Sequence, residues 1–216
     1  MRKTLLLMVM AMFLPLIASA QSTNKALSFA QRTNLYSLTG NGRAYVSPAV
    51  IAPVPTTSHD APNYSVGAWV NLKGLYTIAT NSVIFGYGGL VHYNDNGCWN
   101  LCSTNDGNLS ITGWGTQGAS GVISGATIPV GEWVHLMVVV DNENLSMSIY
   151  QNANLIASRT MSKATEWFGN EDPAFYFGGV GFYGALDEAQ IFNSALSAEQ
   201  VEAVYYNSYA ASSLVG

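Results

Sequence analysis

The sequence predicts an antiparallel all-β sandwich closed by one short C-terminal helix, and three observations carry that prediction. Short apolar or alternating runs recur along the chain, separated by clusters of Gly, Asn, Asp, Ser and Pro, the pattern of hairpin-connected strands. One run near the end, about Ala198 to Tyr206, carries helix-start chemistry. The chain beyond its first twenty residues has the length of one all-β domain with a sizeable core, and no internal repeat of solenoid period divides it.

The N-terminus comes first. Arg2 and Lys3 precede an apolar run that ends at Ile17, and the small residues Ala18-Ser19-Ala20 follow. This is the three-part pattern of a secretory signal, with cleavage expected between Ala20 and Gln21. A membrane anchor fits less well, because the run is shorter than about 18 residues and contains Pro15. Residues 1–20 are therefore read as a signal peptide and residues 21–216 as one exported domain, periplasmic, cell-surface or secreted, and not an integral membrane protein after cleavage.

Strands are expected at Tyr64 to Leu72, Val83 to Tyr87, Cys98 to Ser103, Leu109 to Thr112, Trp133 to Val140, Leu145 to Tyr150, Leu155 to Met161, Ala174 to Phe177 and Gly184 to Phe192. The proline-rich stretch from Pro48 to Pro62 has no period and reads as a long ordered loop or crossover. Asp106-Gly107 marks a hairpin turn. Alternation assigns Leu145, Met147 and Ile149 to one buried side, with Ser146 and Ser148 opposite. Trp133 to Val140 is apolar on both sides, as in a central strand covered on both faces, which makes Trp133 and Trp69 core residues and His135 a packed, hydrogen-bonded one.

Cys98 and Cys102 bracket Trp99-Asn100-Leu101. Along a strand they stand roughly 13 Å apart, beyond the ~7 Å Cα limit for a disulfide. The strand reading leaves two free thiols on one face; a turn there would allow a bridge. With three scattered histidines, the pair falls short of the usual zinc signatures. For the helix, Ser197 and Gln200 form a capping box, while Leu196 and Val201 make the hydrophobic staple. Its inner side then places Val201, Val204 and Tyr205 on the sandwich.

Charge excludes one class of partner. The chain has 8 basic and 13 acidic side chains, a net charge of −5, and cleavage would remove two of the bases. A surface of that sign repels phosphate backbones, so nucleic acid is not a partner. Only 10% of residues are charged, which suits neutral polar ligands.

Three segments carry a resemblance. Tyr64-Ser65-Val66-Gly67-Ala68-Trp69-Val70 resembles an early strand with a tryptophan in an apolar frame, and Gly131 to Asp141 resembles a Trp-x-His strand leading into a hairpin. Phe177-Gly178-Gly179, then Phe182 to Phe192 with its Asp187-Glu188 pair, then Asn193-Ser194-Ala195-Leu196-Ser197 and the helix resemble a terminal strand and cap. In order and spacing these are similar to the laminin G-like (LamG) jelly rolls of the concanavalin A-like lectin and glucanase superfamily. Two departures stand out. Asn152-Ala153-Asn154 lies where the family commonly has Asn-Gly, which leaves the turn type open, and Ala189-Gln190 replaces the usual Val-Arg.

The resemblance implies a two-sheet antiparallel jelly roll and a carbohydrate-binding, lectin-like role, with a surface adhesion or protein-binding module as the alternative. The ligand expected is a glycan or other cell-surface molecule. A glycoside hydrolase is the third reading. Retaining chemistry needs two carboxylates about 5 to 5.5 Å apart, and the related glucanases place them two or four residues apart on one strand face. No such run occurs, since Glu171-Asp172 and Asp187-Glu188 are adjacent pairs. Candidate sugar-stacking residues are Trp114, set between two glycines, together with Trp167, Trp99 and Tyr93, with simple core packing the alternative for each. Alternation places Asp187 beside Ala189 and Ile191; by resemblance it is the residue that would hold a structural calcium ion, the alternative being a metal-free Asp that caps nearby backbone N–H groups.

Overall fold

A computed structural model describes residues 27–29, 44–47, 49, 52, 59–75, 81–89, 99–112, 122–167, 173–179 and 181–213. In chain order the strands are β1 (Leu27–Phe29), β2 (Ala44–Val46), β3 (His59–Asp60), β4 (Tyr64–Leu72), β5 (Asn81–Gly89), β6 (Trp99–Thr104) and β7 (Asn108–Thr112). They continue as β8 (Val122–Thr127), β9 (Trp133–Asp141), β10 (Ser146–Gln151), β11 (Asn154–Thr160), β12 (Glu166–Trp167), β13 (Pro173–Phe177) and β14 (Gly184–Phe192), before helix α1 (Ala198–Ser213). The first sheet runs β1-β14-β4-β9-β10-β11 and the second β2-β13-β5-β6-β7-β8, with a small β12-β3 ribbon beside them. This is a jelly-roll sandwich with a C-terminal helix, as the sequence predicts.

Alternation builds the core. From β4 the residues Tyr64, Val66, Ala68, Val70 and Leu72 point inward, and from β9 Val134, Leu136, Val138 and Val140 do the same. The second sheet answers with Phe85, Trp99, Leu101, Leu109, Phe175 and Phe177. Each of these large side chains, fully removed from water, contributes on the order of 2–3 kcal/mol. Met147 and Ile149 are buried in the same core and Leu145 packs against it, as alternation requires.

The turns show why the strands pair as they do. Gly107 sits at φ +80 between β6 and β7, with its N–H on the Thr104 carbonyl, so the Asp106-Gly107 signal is a true turn. Between β10 and β11, Asn152 and Ala153 have φ 49 and 65. Two left-handed central residues make a type I′ hairpin, the geometry whose twist matches the flanking strands. The departure from Asn-Gly thus leaves the turn intact and places an alanine where glycine is favoured.

At the start of α1 the capping box forms as expected. The Ser197 N–H donates to Gln200 Oε1 (2.8 Å) and the Gln200 N–H to Ser197 Oγ (3.3 Å). Leu196 and Val201 are buried against Met137, Val139 and Tyr150 on the outer face of the first sheet. The helix runs to Ser213, well past the expected Tyr206. Tertiary contact explains the extension, because Tyr205 and Ser208 both reach Trp69, and docking sustains a helix that its sequence alone would not.

Three expectations need correction. Trp133 is 43% exposed rather than buried, because it lies at the end of β9 on the outer face, outside the core between the sheets. His135 is fully buried, yet neither ring nitrogen has a hydrogen-bond partner. Asp187 does not share a face with Ile191. A bulge, with Glu188 at φ 48, pairs Asp187 with Trp69 and Gln190 with Gly67. One extra residue reverses the alternation, and Asp187 lies part-exposed with its Oδ1 accepting from the Glu188 N–H at 2.9 Å.

Candidate functional site

On the outer face of the second sheet, alternation leaves what the core does not take. Phe175 and Phe177 go inward and Tyr176 outward; Leu101 goes inward, Asn100 and Cys102 outward; Leu109 and Ile111 go inward, Ser110 and Thr112 outward. The register sets these outward residues in a row across the strands. Tyr45 is paired with Tyr176, Tyr176 with Gly86, Gly86 with Asn100, and Asn100 with Thr112.

Gly86 is the pivot of that row. The Tyr176 hydroxyl donates to Asn100 Oδ1 across it. A Cβ at Gly86 would lie 2.9 Å from that oxygen, 3.0 Å from the hydroxyl and 2.3 Å from the Trp99 carbonyl oxygen. Real Cβ atoms do not approach so closely, so only glycine lets the phenol and the amide meet. An isolated glycine within an apolar strand, as in Ile84-Phe85-Gly86-Tyr87, signals such close approach. What the sequence lacked was the register that brings Tyr176 and Asn100 to either side.

The chemistry of the row is neutral. Tyr45 is 46% exposed at its edge, while Tyr176 and Asn100 are nearly covered. Ser110 Oγ is buried without a hydrogen-bond partner, leaving a hydroxyl unsatisfied. Cys102 is a free thiol held near Thr112 Oγ1 (3.5 Å), and burial pushes its pKa up to about 12. A thiol so protonated is no nucleophile at neutral pH. Among the described residues no group of three His, Cys, Asp or Glu side chains is placed to hold a metal ion.

The residues singled out from sequence fall in different places. Trp114 and Tyr93 lie outside the described residues, as do Cys98 and the Glu171-Asp172 pair. Trp167 stands on β12, its backbone paired with His59 of β3. That ribbon is tied to the sandwich by a buried polar knot. Asn142 Oδ1 accepts from the Thr165 N–H (2.8 Å), Asn142 Nδ2 donates to the Pro62 carbonyl (2.8 Å), and Thr165 Oγ1 meets the Tyr64 hydroxyl (3.2 Å). Trp99 is a correction. It is 0% exposed in the core, with Nε1 donating to the Tyr64 hydroxyl at 2.8 Å, and a ring without an open face offers no stacking platform.

At Asp187 the two adjacent carboxylates meet on a bulge. The Glu188 pKa is raised, first by partial burial and then by the Asp187 charge. Consecutive bulge residues tied by a backbone hydrogen bond do not form the facing pair that glycoside hydrolysis requires.

Comparison with known proteins agrees with this architecture. The sequence profile of the laminin G-type family of the concanavalin A-like lectin/glucanases superfamily matches residues 39–202. Domain 4 of an extracellular arabinanase from Geobacillus stearothermophilus, solved in complex with arabinotriose, is 26% identical, with TM-score 0.54 and 68% of each chain covered. The CBM40 module of the Ruminococcus gnavus IT-sialidase, bound to α2,3-sialyllactose, is 15% identical with TM-score 0.57, covering 84% of this chain and 96% of that one. A heptameric SAP-like pentraxin from Limulus polyphemus is 17% identical with TM-score 0.53, covering 82% and 80%. No curated protein sequence matches the chain. A profile that spans most of the chain, over a sandwich of this topology, makes the protein a member of the concanavalin A-like lectin/glucanase superfamily.

Proposed function

We propose that the protein is an exported, non-catalytic carbohydrate-binding module that takes a neutral glycan at the outer face of its second sheet. The observation that carries this reading is the uncharged row on that face. Phenol, amide and hydroxyl groups suit sugar hydroxyls, Tyr45 is the exposed end of the row, and no charged side chain stands among its described residues. The likeness to an arabinanase domain solved with arabinotriose supports the ligand class. Trp114, Trp167 and Tyr93 are the proposed stacking residues, and the Arg2-to-Ala20 segment supports export. No helix among the described residues is long and apolar enough to cross a membrane.

A glycan array probed with the chain from Gln21 onward tests this reading. Saturable binding to neutral glycans, weakened by Trp114→Ala with little change in melting temperature, is the expected result. Silence on the array together with capture of a cell-surface protein would replace the reading with an adhesion module. A broad polysaccharide panel should show no hydrolysis.

Calcium at Asp187 is a separate proposal, supported by the uncompensated repulsion between Asp187 and Glu188 that a cation would relieve. Two carboxylates offer fewer than the 6 to 8 oxygens calcium takes, so backbone carbonyls and water would complete the set.

A further inference from the structure

His135 sits on the outer face of the first sheet, with no exposed surface and both ring nitrogens unpartnered. Its backbone is satisfied: the His135 N–H donates to Asn152 Oδ1 and its carbonyl accepts from the Asn152 N–H, both at 2.8 Å. Three rings surround one another here. Trp69, its partner on β4, lies 5.5 Å away by centroid, Tyr205 of α1 lies 5.9 Å away, and Trp69 and Tyr205 are 5.6 Å apart. Only Tyr205 belongs to the helix. The same stretch of helix is fastened by Trp69 Nε1, which donates to Ser208 Oγ at 3.0 Å.

We propose that His135 is an acid-sensitive latch, whose protonation releases the C-terminal half of α1 from the first sheet and uncovers the Trp69–His135 face. The reason is geometric. A neutral imidazole in this pocket already leaves a donor and an acceptor unmet, and an imidazolium would bring two charged donors into the same dry space. Ring faces of Trp69 and Tyr205 attract a cation, but they do not replace two hydrogen bonds and a hydration shell. Undocking the helix restores water.

Among the described residues no counter-ion is in contact with the ring. From β4 the pocket receives Trp69, and from the β10–β11 turn it receives Asn152, neither charged. On β9, Glu132 precedes the strand and Asp141 ends it. The helix carries Glu199 and Glu202, and Asp187 of β14 stands at the position paired with Trp69. Burial, and then the Glu199 charge, raise the Tyr150 pKa, so this phenol adds no charge in acid. None of these groups hydrogen-bonds to the ring.

The sign follows from burial, which lowers the His135 pKa from 6.5 to about 4. Docking of the helix half is therefore at full strength above pH 6.5 and weakens as pH falls from 6.5 towards 4. The docking equilibrium drops by at most tenfold per pH unit, about 80-fold across that window, and approaches about 300-fold only well below pH 4.

The experiment is hydrogen exchange of the α1 amides in the mature chain at pH 7.5 to 4.5, corrected for intrinsic rates, beside His135→Phe. The wild type should lose protection in the second half of α1 as pH falls, while β9 and β4 hold, and H135F should show a flat profile. In parallel, the His135 ring Cε1 should titrate well below 6.5 by NMR in the wild type, a measurement that needs no variant to fold. Constant protection of α1 down to pH 4.5, equal pH dependence in H135F, or an ordinary His135 titration with the helix still docked would each overturn the latch. The proposal is independent of the glycan reading, which concerns the other sheet.

Discussion

Both outer faces of the sandwich arise from strand alternation, yet they end up opposite in character. On the first sheet the outward residues include Trp69, His135, Met137 and Val139, an apolar set that needs a cover, and α1 supplies it. On the second, Tyr176, Asn100 and Ser110 point outward, and Gly86 lets two of them join. A jelly roll must fill its core, but each outer face is a separate choice. Here one face becomes a small second core and the other a row of neutral polar groups, nearly covered except at Tyr45.

The tryptophans put that comparison to the strongest test. Trp99→Ala should cost about 3–5 kcal/mol, because it empties the core and strips the Tyr64 hydroxyl of a donor. Trp133→Ala, at the exposed end of β9, should stay within about 1 kcal/mol. Paired urea melts check both, and equal losses would break the distinction between interior and outer face. Next in size is Gly86→Ala, which should lose roughly 1–3 kcal/mol through the clash with the Trp99 carbonyl and should also abolish glycan binding. Binding retained in a folded G86A protein would detach the polar row from function.

Smaller effects sharpen the comparison. Ser197→Ala should destabilise by about 1 kcal/mol, read as faster amide exchange in the first turn of α1, since it removes the Oγ that accepts from the Gln200 N–H and leaves only the backbone half of the capping box. Ala153→Gly should stabilise by about 0.5–1 kcal/mol by relieving φ 65 in the I′ turn. Smallest is the calcium test. Chelator should lower the melting temperature slightly, added Ca²⁺ should restore it, and Asp187→Asn should abolish the response; a melt indifferent to all three would remove calcium.

Much of the fold was legible because one face of each long strand is buried. β4 and β14 begin and end where the sequence places them, and the Ser197 box and Leu196–Val201 staple stand as read. Short-range chemistry writes itself into sequence. What failed depended on distant partners. Trp133 looked like core because both sides of its strand are apolar, yet only a docked helix decides how far the outer side is covered. Asp187 was misplaced by a single bulge residue, Glu188, whose left-handed backbone no side-chain pattern announces. The Tyr176–Gly86–Asn100 row needs three strands in register, from positions 86, 100 and 176, and alternation alone does not align them. Trp99 looked like a platform for the same reason: an aromatic beside a polar loop reads alike whether it faces sugar or core.

The place of β14 has a consequence for how the chain comes to be folded. That strand lies between β1 and β4 and hydrogen-bonds to both, although residues 27–29 and 184–192 are separated by most of the sequence. A chain emerging N-terminus first therefore presents β1 with no neighbour and β4 with one open edge until residue 192 has appeared. Closing so long a loop is slow, on the order of milliseconds to seconds for all-β topologies. During that interval the edge of β4, with its apolar Val66, Ala68 and Val70, is exposed to pairing with other chains. A polypeptide built this way passes through a period in which it depends on dilution or a chaperone to stay single.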